Sequence, residues 1–307
     1  MLTCHATSLS QLPELLEILL AHLPDELRQP RLALTLRQCE QEPGRGANAP
    51  NRTRYENFHW ERDGRMIGGV FSMLRPDGTL LSLQPAVVPM EPESSLRLVY
   101  ETLIEFAIDN HARLVMLLVD FQQSADEPML GLFGFEKVSE LLNLNAERAD
   151  FPTHCPVGCL AFRPYKNELW GKMAALVEKT YNNTLDFPQL TGLVPAESIL
   201  RGYQESHVFD PSLWYFIEFQ SKIIGVLLLT QMEESEHLEL TYLGLTEDFR
   251  GQGLSREIVQ FSQFVAKTKN ASHLIVAVDS ANIPALNTYI RCGFQIHDQK
   301  EIYVRYL

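Results

Sequence analysis

The sequence predicts a mixed α/β protein built from two similar halves, and three observations support this prediction. Its 307 residues exceed the usual length of one domain. Two apolar runs that both end in Val-Asp, Leu114–Asp120 and His273–Asp279, lie 159 residues apart and read as buried strands. A Gly-Phe pair follows each run at the same offset, at Gly134-Phe135 and Gly293-Phe294. We therefore expect a tandem repeat with one sheet in each half.

The halves are expected to meet in the polar, proline-containing stretch 146–156. This gives domains at 1–150 and 151–307. Ile67-Gly68 and Ile224-Gly225, each in a strand-like run, repeat at a similar offset of 157 residues. The Gly/Pro/Asn-rich stretch 41–54 reads as a long loop.

The elements of the first half follow from local patterns. Apolar residues at helical spacing predict an amphipathic helix over Leu12–Leu23. Tyr55–Trp60 and Met66–Leu74 read as a hairpin that turns at Asp63-Gly64. A helix buried on one face precedes each Val-Asp strand. Its apolar positions are Leu96, Val99, Leu103, Phe106 and Ala107 in the first half, and Leu254, Ile258, Phe261 and Val265 in the second.

Composition excludes several classes of protein. The net charge of −13 argues against a general binder of nucleic acid. No apolar stretch reaches the length of a membrane span and the first residues do not resemble a signal peptide, so we expect a cytoplasmic protein. Five irregularly placed cysteines argue against a disulfide framework, and His154, Cys155 and Cys159 lack a partner pair for zinc, so we predict no metal.

A glycine-containing loop in the second half carries the first chemical signal. A strand over 238–245 leads into Arg250-Gly251-Gln252-Gly253-Leu254-Ser255, which opens a helix that runs to about Lys269. The first amides of a helix have no internal partner and bind anions such as pyrophosphate. Arg250 would add positive charge. A P-loop is excluded because no Lys follows Gly253, and a dinucleotide fingerprint lacks its third glycine at Arg256.

A second motif follows the strand His273–Asp279. Asn282-x-x-Ala285-x-x-x-Tyr289-x-x-x-Gly293-Phe294 places its first three named residues on one face of a short helix. Gly293-Phe294 then turns the chain into a strand at about Gln295–His297, with Ile302–Tyr306 after it.

Together the two motifs resemble the GNAT N-acetyltransferase superfamily over residues 157–307. The family pattern is Val-x-Pro-x-aromatic-Arg-Gly-x-Gly-x-Gly/Ala, with Asn-x-x-Ala-x-x-x-Tyr-x-x-x-Gly-Phe later. Here Glu247 replaces the proline and Ser255 the last small residue. The resemblance implies a sheet with a splayed central strand pair and acetyl-coenzyme A as cosubstrate. By the same resemblance, the coenzyme A-binding residues are Leu243, Gly244, Leu245, Arg250, Gly251, Gln252, Gly253, Leu254, Ser255, Asn282 and Tyr289.

The first half fits the same pattern only in outline. Val87-Val88-Pro89 resembles the entry to the loop, but 91–95 reads Glu-Pro-Glu-Ser-Ser where the glycines should be. Acidic residues repel pyrophosphate and Pro92 has no amide to donate. Leu130 and Gln123 occupy the Tyr and Asn positions. We therefore expect a degenerate first domain without a cofactor loop.

The resemblance implies direct transfer of an acetyl group from coenzyme A to a primary amine of a small molecule or peptide. Tyr289 is the candidate general acid, Glu239 the candidate general base and His237 the next choice. Cys292 lacks a His/Asp partner for an acyl-cysteine route. Two alternatives stay open: a non-catalytic acyl-coenzyme A sensor and an NAD-dependent oxidoreductase. The acceptor, the acyl length and the oligomeric state do not follow from the sequence.

Overall fold

The computed structural model describes residues 2–41, 53–121, 127–192, 194–205, 209–231 and 236–307. The predicted loop over 41–54 and Gln123 lie largely or wholly outside this part. The chain divides into two compact units: unit 1 is Met1–Val138 with Lys300–Leu307, and unit 2 is Ser139–Gln299. Within the described ranges, no helix is long and apolar enough to cross a membrane.

In the described residues, unit 1 is a seven-stranded sheet with helices on both faces. Its elements are β1 Leu2–Ala6, α1 Leu12–Leu19, α2 Asp25–Gln41, β2 Arg54–Arg62, β3 Arg65–Leu74, β4 Thr79–Leu83, β5 Ala86–Val87, α3 Glu93–Asp109, β6 Leu114–Asp120 and α4 Glu127–Leu132. The strand order is β1-β2-β3-β4-β6, completed by the end of the last strand, β13 (Gln295–Tyr306), and β5 pairs with β3. One core packs α3 against the sheet and a second packs α1 against the other face.

Unit 2 repeats this plan. Its elements are β7 Glu136–Glu147, β8 Leu160–Pro164, α5 Trp170–Thr180, α6 Ala196–Glu205, β9 Trp214–Phe219, β10 Lys222–Gln231, β11 His237–Leu245, α7 Leu254–Thr268, β12 His273–Asp279 and α8 Ile283–Arg291. The strand order is β7-β12-β11-β10-β9-β8, in which only β11 and β12 are parallel. One core lies between the sheet and α7, and the other between the sheet and α5 with α6.

Each unit takes its last strand from the other half of the sequence. Strand β7 leaves the first half and pairs antiparallel with β12, and β13 follows α8 and pairs antiparallel with β6 through Lys300–Tyr306. The predicted boundary between residues 150 and 151 divides the sequence linearly. The compact units exchange strands, which no linear boundary describes.

The structure confirms the predicted mixed α/β fold and most predicted elements. The hairpin of β2 and β3 turns at Asp63 and Gly64, which both have positive φ, as a two-residue hairpin turn requires. The N-terminal helix is shorter than predicted and ends at Leu19. The two C-terminal strand segments form one strand, β13, because the backbone stays extended between them.

Candidate active site

The central feature of unit 2 is the separation of its two parallel strands. Strands β11 and β12 pair only over three positions, from His237↔His273 to Glu239↔Ile275. Beyond Glu239, β11 pairs with β10 alone, and a cleft with a volume of about 370 Å³ opens between β11 and β12. The predicted splayed strand pair is therefore present, and the main-chain groups of β11 that face β12 here have no strand partner.

A β-bulge sets the direction of the side chains along this strand. The register between β10 and β11 shifts between Leu228↔Tyr242 and Leu229↔Leu240, so Thr241 is the extra residue. Leu240 packs in the core under α7, whereas Tyr242 packs in the core under α5. The Tyr242 hydroxyl shares a hydrogen bond of 2.7 Å with Oγ1 of Thr180 at the end of α5.

The glycine loop supplies a run of unpaired amides at one end of the cleft. Gly251 and Gly253 have φ of 71° and 78°, which only glycine adopts without strain. No heavy atom lies within 4 Å of a Cβ built on either residue, so the space beside the loop is open. Gly253 begins α7 without a side-chain cap. Among the described residues, the amides of Gly251 to Ser255 find no acceptor. This is the geometry of an anion site at a helix N-terminus.

Arg250 has a role that sequence reasoning missed. Its guanidinium donates to four main-chain carbonyls: Leu245 at 2.9 Å, Thr180 at 2.6 Å, and Asn182 and Asn183 at 2.8 Å. It therefore fastens the loop after α5 to the end of β11. No motif spacing in the sequence predicts these contacts, because their partners are main-chain atoms far along the chain.

Helix α8 carries the second predicted motif into the cleft. Asn282 caps the helix, its Oδ1 accepting from the Ala285 amide at 3.3 Å, and its side-chain amide has no acceptor in the described ranges. Tyr289 lines the cleft and its side chain is buried. Burial raises the pKa of Tyr289, and the nearby charge of Asp186 raises it further. Its hydroxyl has no protein partner in the described part of the chain, so it is a protonated donor open to the cleft.

A loop after α5 forms the opposite wall and brings in Asp186, which no motif predicts. The Asp279 amide donates to Asp186 Oδ1 and the Phe187 amide donates to Asp279 Oδ2, both at 3.1 Å. Desolvation by the cleft walls raises the pKa of Asp186 and the charge of Asp279 adds to this effect, while the Asp279 hydrogen bond opposes it. Ninety-three residues separate these two partners, so local sequence could not pair them.

The remaining candidates lie outside the cleft lining. Glu239 lies at the last position where β11 pairs with β12. Desolvation raises the pKa of its carboxyl. His237 packs against His273 at a ring-centroid distance of 4.9 Å. Cys292 is half-buried after α8, and burial raises the pKa of its thiol.

The matching segment of unit 1 has no glycine loop. The Glu91 carboxylate accepts from the Ser95 hydroxyl at 2.8 Å and pairs with Arg62 at 3.1 Å. These contacts fill the place before α3 where unit 2 has open amides. Leu130, at the Tyr289 position, is buried in the core under α3.

The comparisons with known proteins agree with this geometry. The family profile described as "Acetyltransferase (GNAT) family" matches residues 177–294. No curated protein sequence matches the chain. Residues 177–294 thus match the GNAT acetyltransferase family, whose members use acetyl-coenzyme A as cosubstrate.

Solved structures extend the likeness to the whole chain. A GCN5-related N-acetyltransferase from Sphaerobacter thermophilus aligns with a TM-score of 0.70 at 15% identity, over 99% of this chain and 95% of that one. A tandem GNAT protein from the clavulanic acid biosynthesis pathway aligns with a TM-score of 0.58 at 13% identity, over 100% and 98%. At these identities the likeness is one of fold, and the chain has a tandem GNAT fold.

Proposed function

We propose that unit 2 transfers an acetyl group from coenzyme A to a primary amine, and that unit 1 binds no coenzyme A. One observation carries the proposal. The unpaired amides of Gly251 to Ser255 lie at one end of a cleft that also contains the buried hydroxyl of Tyr289. An anion site and an acid are thus arranged along one groove.

The residues present fit the cosubstrate. The loop amides and the dipole of α7 would hold the pyrophosphate, with Gln252 and Leu254 in the same loop. The main-chain edge of Leu243, Gly244 and Leu245 would pair with the pantetheine arm as an added strand. The free side-chain amide of Asn282 would bind the arm farther along. Arg250 would act mainly through the loops it fastens, because four of its five N–H donors are already bonded to carbonyls.

In the transfer, Tyr289 would protonate the leaving thiolate. Its raised pKa keeps the phenol protonated at neutral pH, which an acid requires. Main-chain amides at the splayed strand would stabilise the developing oxyanion. Glu239, the base predicted from the sequence, lies outside the cleft lining and would take a proton only through water.

The test is calorimetric titration with acetyl-coenzyme A, followed by release of coenzyme A thiol in an amine screen. One site per chain and turnover of an amine are expected. A Tyr289→Phe variant should keep the binding and lose turnover by about 100-fold. Binding without turnover of any amine would favour the sensor, and preference for NAD(H) over acetyl-coenzyme A in a thermal shift would favour the oxidoreductase.

A further inference from the structure

The loop after α5 places one carboxylate in the cleft of unit 2, and the proposed function does not yet use it. We propose that Asp186 binds the ammonium group of the acceptor and accepts its proton, and that the acceptor is a primary amine on an apolar or aromatic body. This inference rests on the proposed acyl transfer.

The charges of the cleft support a cationic acceptor. Of the described residues that line it, Asp186 is the one carboxylate and Arg250 the one cation. The Arg250 guanidinium donates to four carbonyls and forms no ion pair with Asp186 among the described residues. Asp186 uses Oδ1 for the Asp279 amide, and Oδ2 has no donor among the described residues. A carboxylate oxygen facing a cleft without a free cation is suited to an ammonium group.

The position of Asp186 is fixed by strained backbone. Two reciprocal hydrogen bonds join this segment to the end of β12: the Asp279 amide donates to Oδ1 of Asp186, and the Phe187 amide donates to the Asp279 carboxylate. Phe187 and Asn183 have φ of 46° and 50°, a conformation that is costly for a bulky residue such as Phe. Backbone strain of this kind persists where surrounding contacts enforce it, and it is concentrated at functional sites.

The walls beside Asp186 are aromatic and apolar. Tyr181 and Tyr242 line the cleft with their rings at a centroid distance of 5.8 Å, and Leu185 lies next to Asp186 in the chain. Aromatic faces attract ammonium ions and also pack against apolar groups. These walls favour an amine whose body is apolar over a polyamine with charges along its length.

The proton balance of the step is complete. Asp186 takes one proton from the ammonium group, and the amine nitrogen then attacks the thioester carbonyl. The C–N bond forms and the C–S bond breaks. Tyr289 gives its proton to the thiolate and recovers one from the new amide nitrogen. Asp186 later releases its proton to solvent, so one amide, one thiol and one proton result.

The groups around Asp186 determine its pH dependence. Asp279 at the end of β12 acts on Asp186 directly, and Tyr181 after α5, Tyr242 on β11 and Tyr289 on α8 are the tyrosines that its charge affects. Desolvation raises the pKa of Asp186, so the base is ionised only above a pH higher than usual for Asp. The transfer rate of the wild type should therefore rise as the pH increases through the pKa of Asp186. This rise should be absent from Asp186→Asn.

The experiment uses the full chain and compares Asp186→Asn with Glu239→Gln, with Glu218→Gln as a control carboxylate on β9. Each protein is titrated with acetyl-coenzyme A. The coenzyme A-saturated protein is then titrated with 2-phenylethylamine, and with 2-phenylethanol as the uncharged analogue. Thiol release with 2-phenylethylamine is measured from pH 6 to 9. We expect Asp186→Asn to bind acetyl-coenzyme A with an affinity within about twofold of wild type. It should bind 2-phenylethylamine at least about tenfold more weakly, which is about 1.4 kcal/mol. Its rate of thiol release should be at least about 100-fold lower.

The outcomes separate this inference from the proposed function. Absence of acetyl-coenzyme A binding to wild type would contradict the proposed function itself. Acetyl-coenzyme A binding without amine binding, or unchanged amine binding in Asp186→Asn, would overturn the role of Asp186. Loss in Glu239→Gln alone would assign the base to Glu239. Asp186→Asn should not be less stable at pH 8, because a carboxylate with a raised folded-state pKa opposes folding once it ionises.

Discussion

The two units share a fold but differ at one parallel strand pair. In unit 1, β4 and β6 pair over five positions, from Thr79↔Leu114 to Leu83↔Leu118. In unit 2, β11 and β12 pair over three and then separate. In unit 1 the parallel pair also ends, two positions later, and the following strand β5 pairs with β3. Two further positions of parallel pairing thus distinguish unit 1 from the unit whose cleft opens beside β11.

The repeated Val-Asp shows the same divergence in side chains. Asp120 ends β6 and pairs with His22 at 3.0 Å, Arg31 at 2.7 Å and Lys300 at 2.6 Å. Asp279 ends β12 and accepts from main-chain amides, including those of Phe187 and Ala281. One repeated acid holds cationic side chains together, and the other orients the loop that carries Asp186. The same sequence position serves stability in one unit and the cleft in the other.

The largest effect is expected from a negative charge in the glycine loop. Gly253→Glu should weaken acetyl-coenzyme A binding by at least about 1,000-fold, or ~4 kcal/mol, because it repels the pyrophosphate and strains a left-handed residue. The open space beside Gly253 lets the variant fold. The matched change in unit 1, Ser94→Glu, should leave the affinity unchanged. Calorimetry that finds two sites, or equal losses in both variants, would show that unit 1 is also competent.

The second prediction compares the repeated acids. Asp120→Asn should lower the free energy of unfolding by about 3 kcal/mol, because it leaves the partly buried Lys300 and Arg31 without their buried anion. Asp279→Asn should cost about 1–2 kcal/mol, because its donors are neutral main-chain amides and the Ser139 hydroxyl, and Asn keeps one acceptor oxygen. Urea unfolding with hydrogen exchange at β6 and β12 measures both. A larger loss for Asp279→Asn would contradict the division of roles.

The sequence predicted the parts of this comparison that rest on local patterns. Periodicity located β6, β12, α3 and α7 within a few residues, and glycine spacing predicted the loop at Gly251 and Gly253. The Ile-Gly pair that repeats in the two halves also drew attention to Gly68 and Gly225. In each case a Cβ would collide with a neighbouring main-chain carbonyl, of Ala86 or Gly244 respectively.

What sequence could not predict depends on contacts between distant segments. The exchange of β7 and β13 depends on which distant strand each one joins, β12 for β7 and β6 for β13. The Arg250 contacts go to main-chain carbonyls, which carry no residue identity. Asp186 lies in a segment without periodicity, and its partner Asp279 looked like the end of a strand.

A third prediction concerns acid. Desolvation acts to raise the pKa of Asp120, but the His22 hydrogen bond and the charges of Lys300 and Arg31 outweigh it and hold the pKa well below its usual value. Since the folded-state pKa is below the unfolded value of about 3.9, the stabilisation is present above that pH and is lost as pH falls through the folded-state pKa. The stability difference between wild type and Asp120→Asn should therefore be constant from pH 7 to about 5 and shrink below about 4. A difference that grows in acid would contradict this assignment.

The smallest effects test the two arginines that lie beside the corresponding loops. Arg250→Lys should cost about 1–2 kcal/mol, since an ammonium group cannot reach four carbonyls held in a planar arrangement. The loss should appear as faster hydrogen exchange across residues 181–187 and as weaker binding of 2-phenylethylamine, because this loop carries Asp186. Arg62→Lys in unit 1 should cost no more than about 0.5 kcal/mol, because the Arg62 side chain is 40% exposed and its pairing with Glu91 is screened by water. If both variants exchange alike, Arg250 does not fasten the loop, and the rigid placement of Asp186 must come from Asp279 alone.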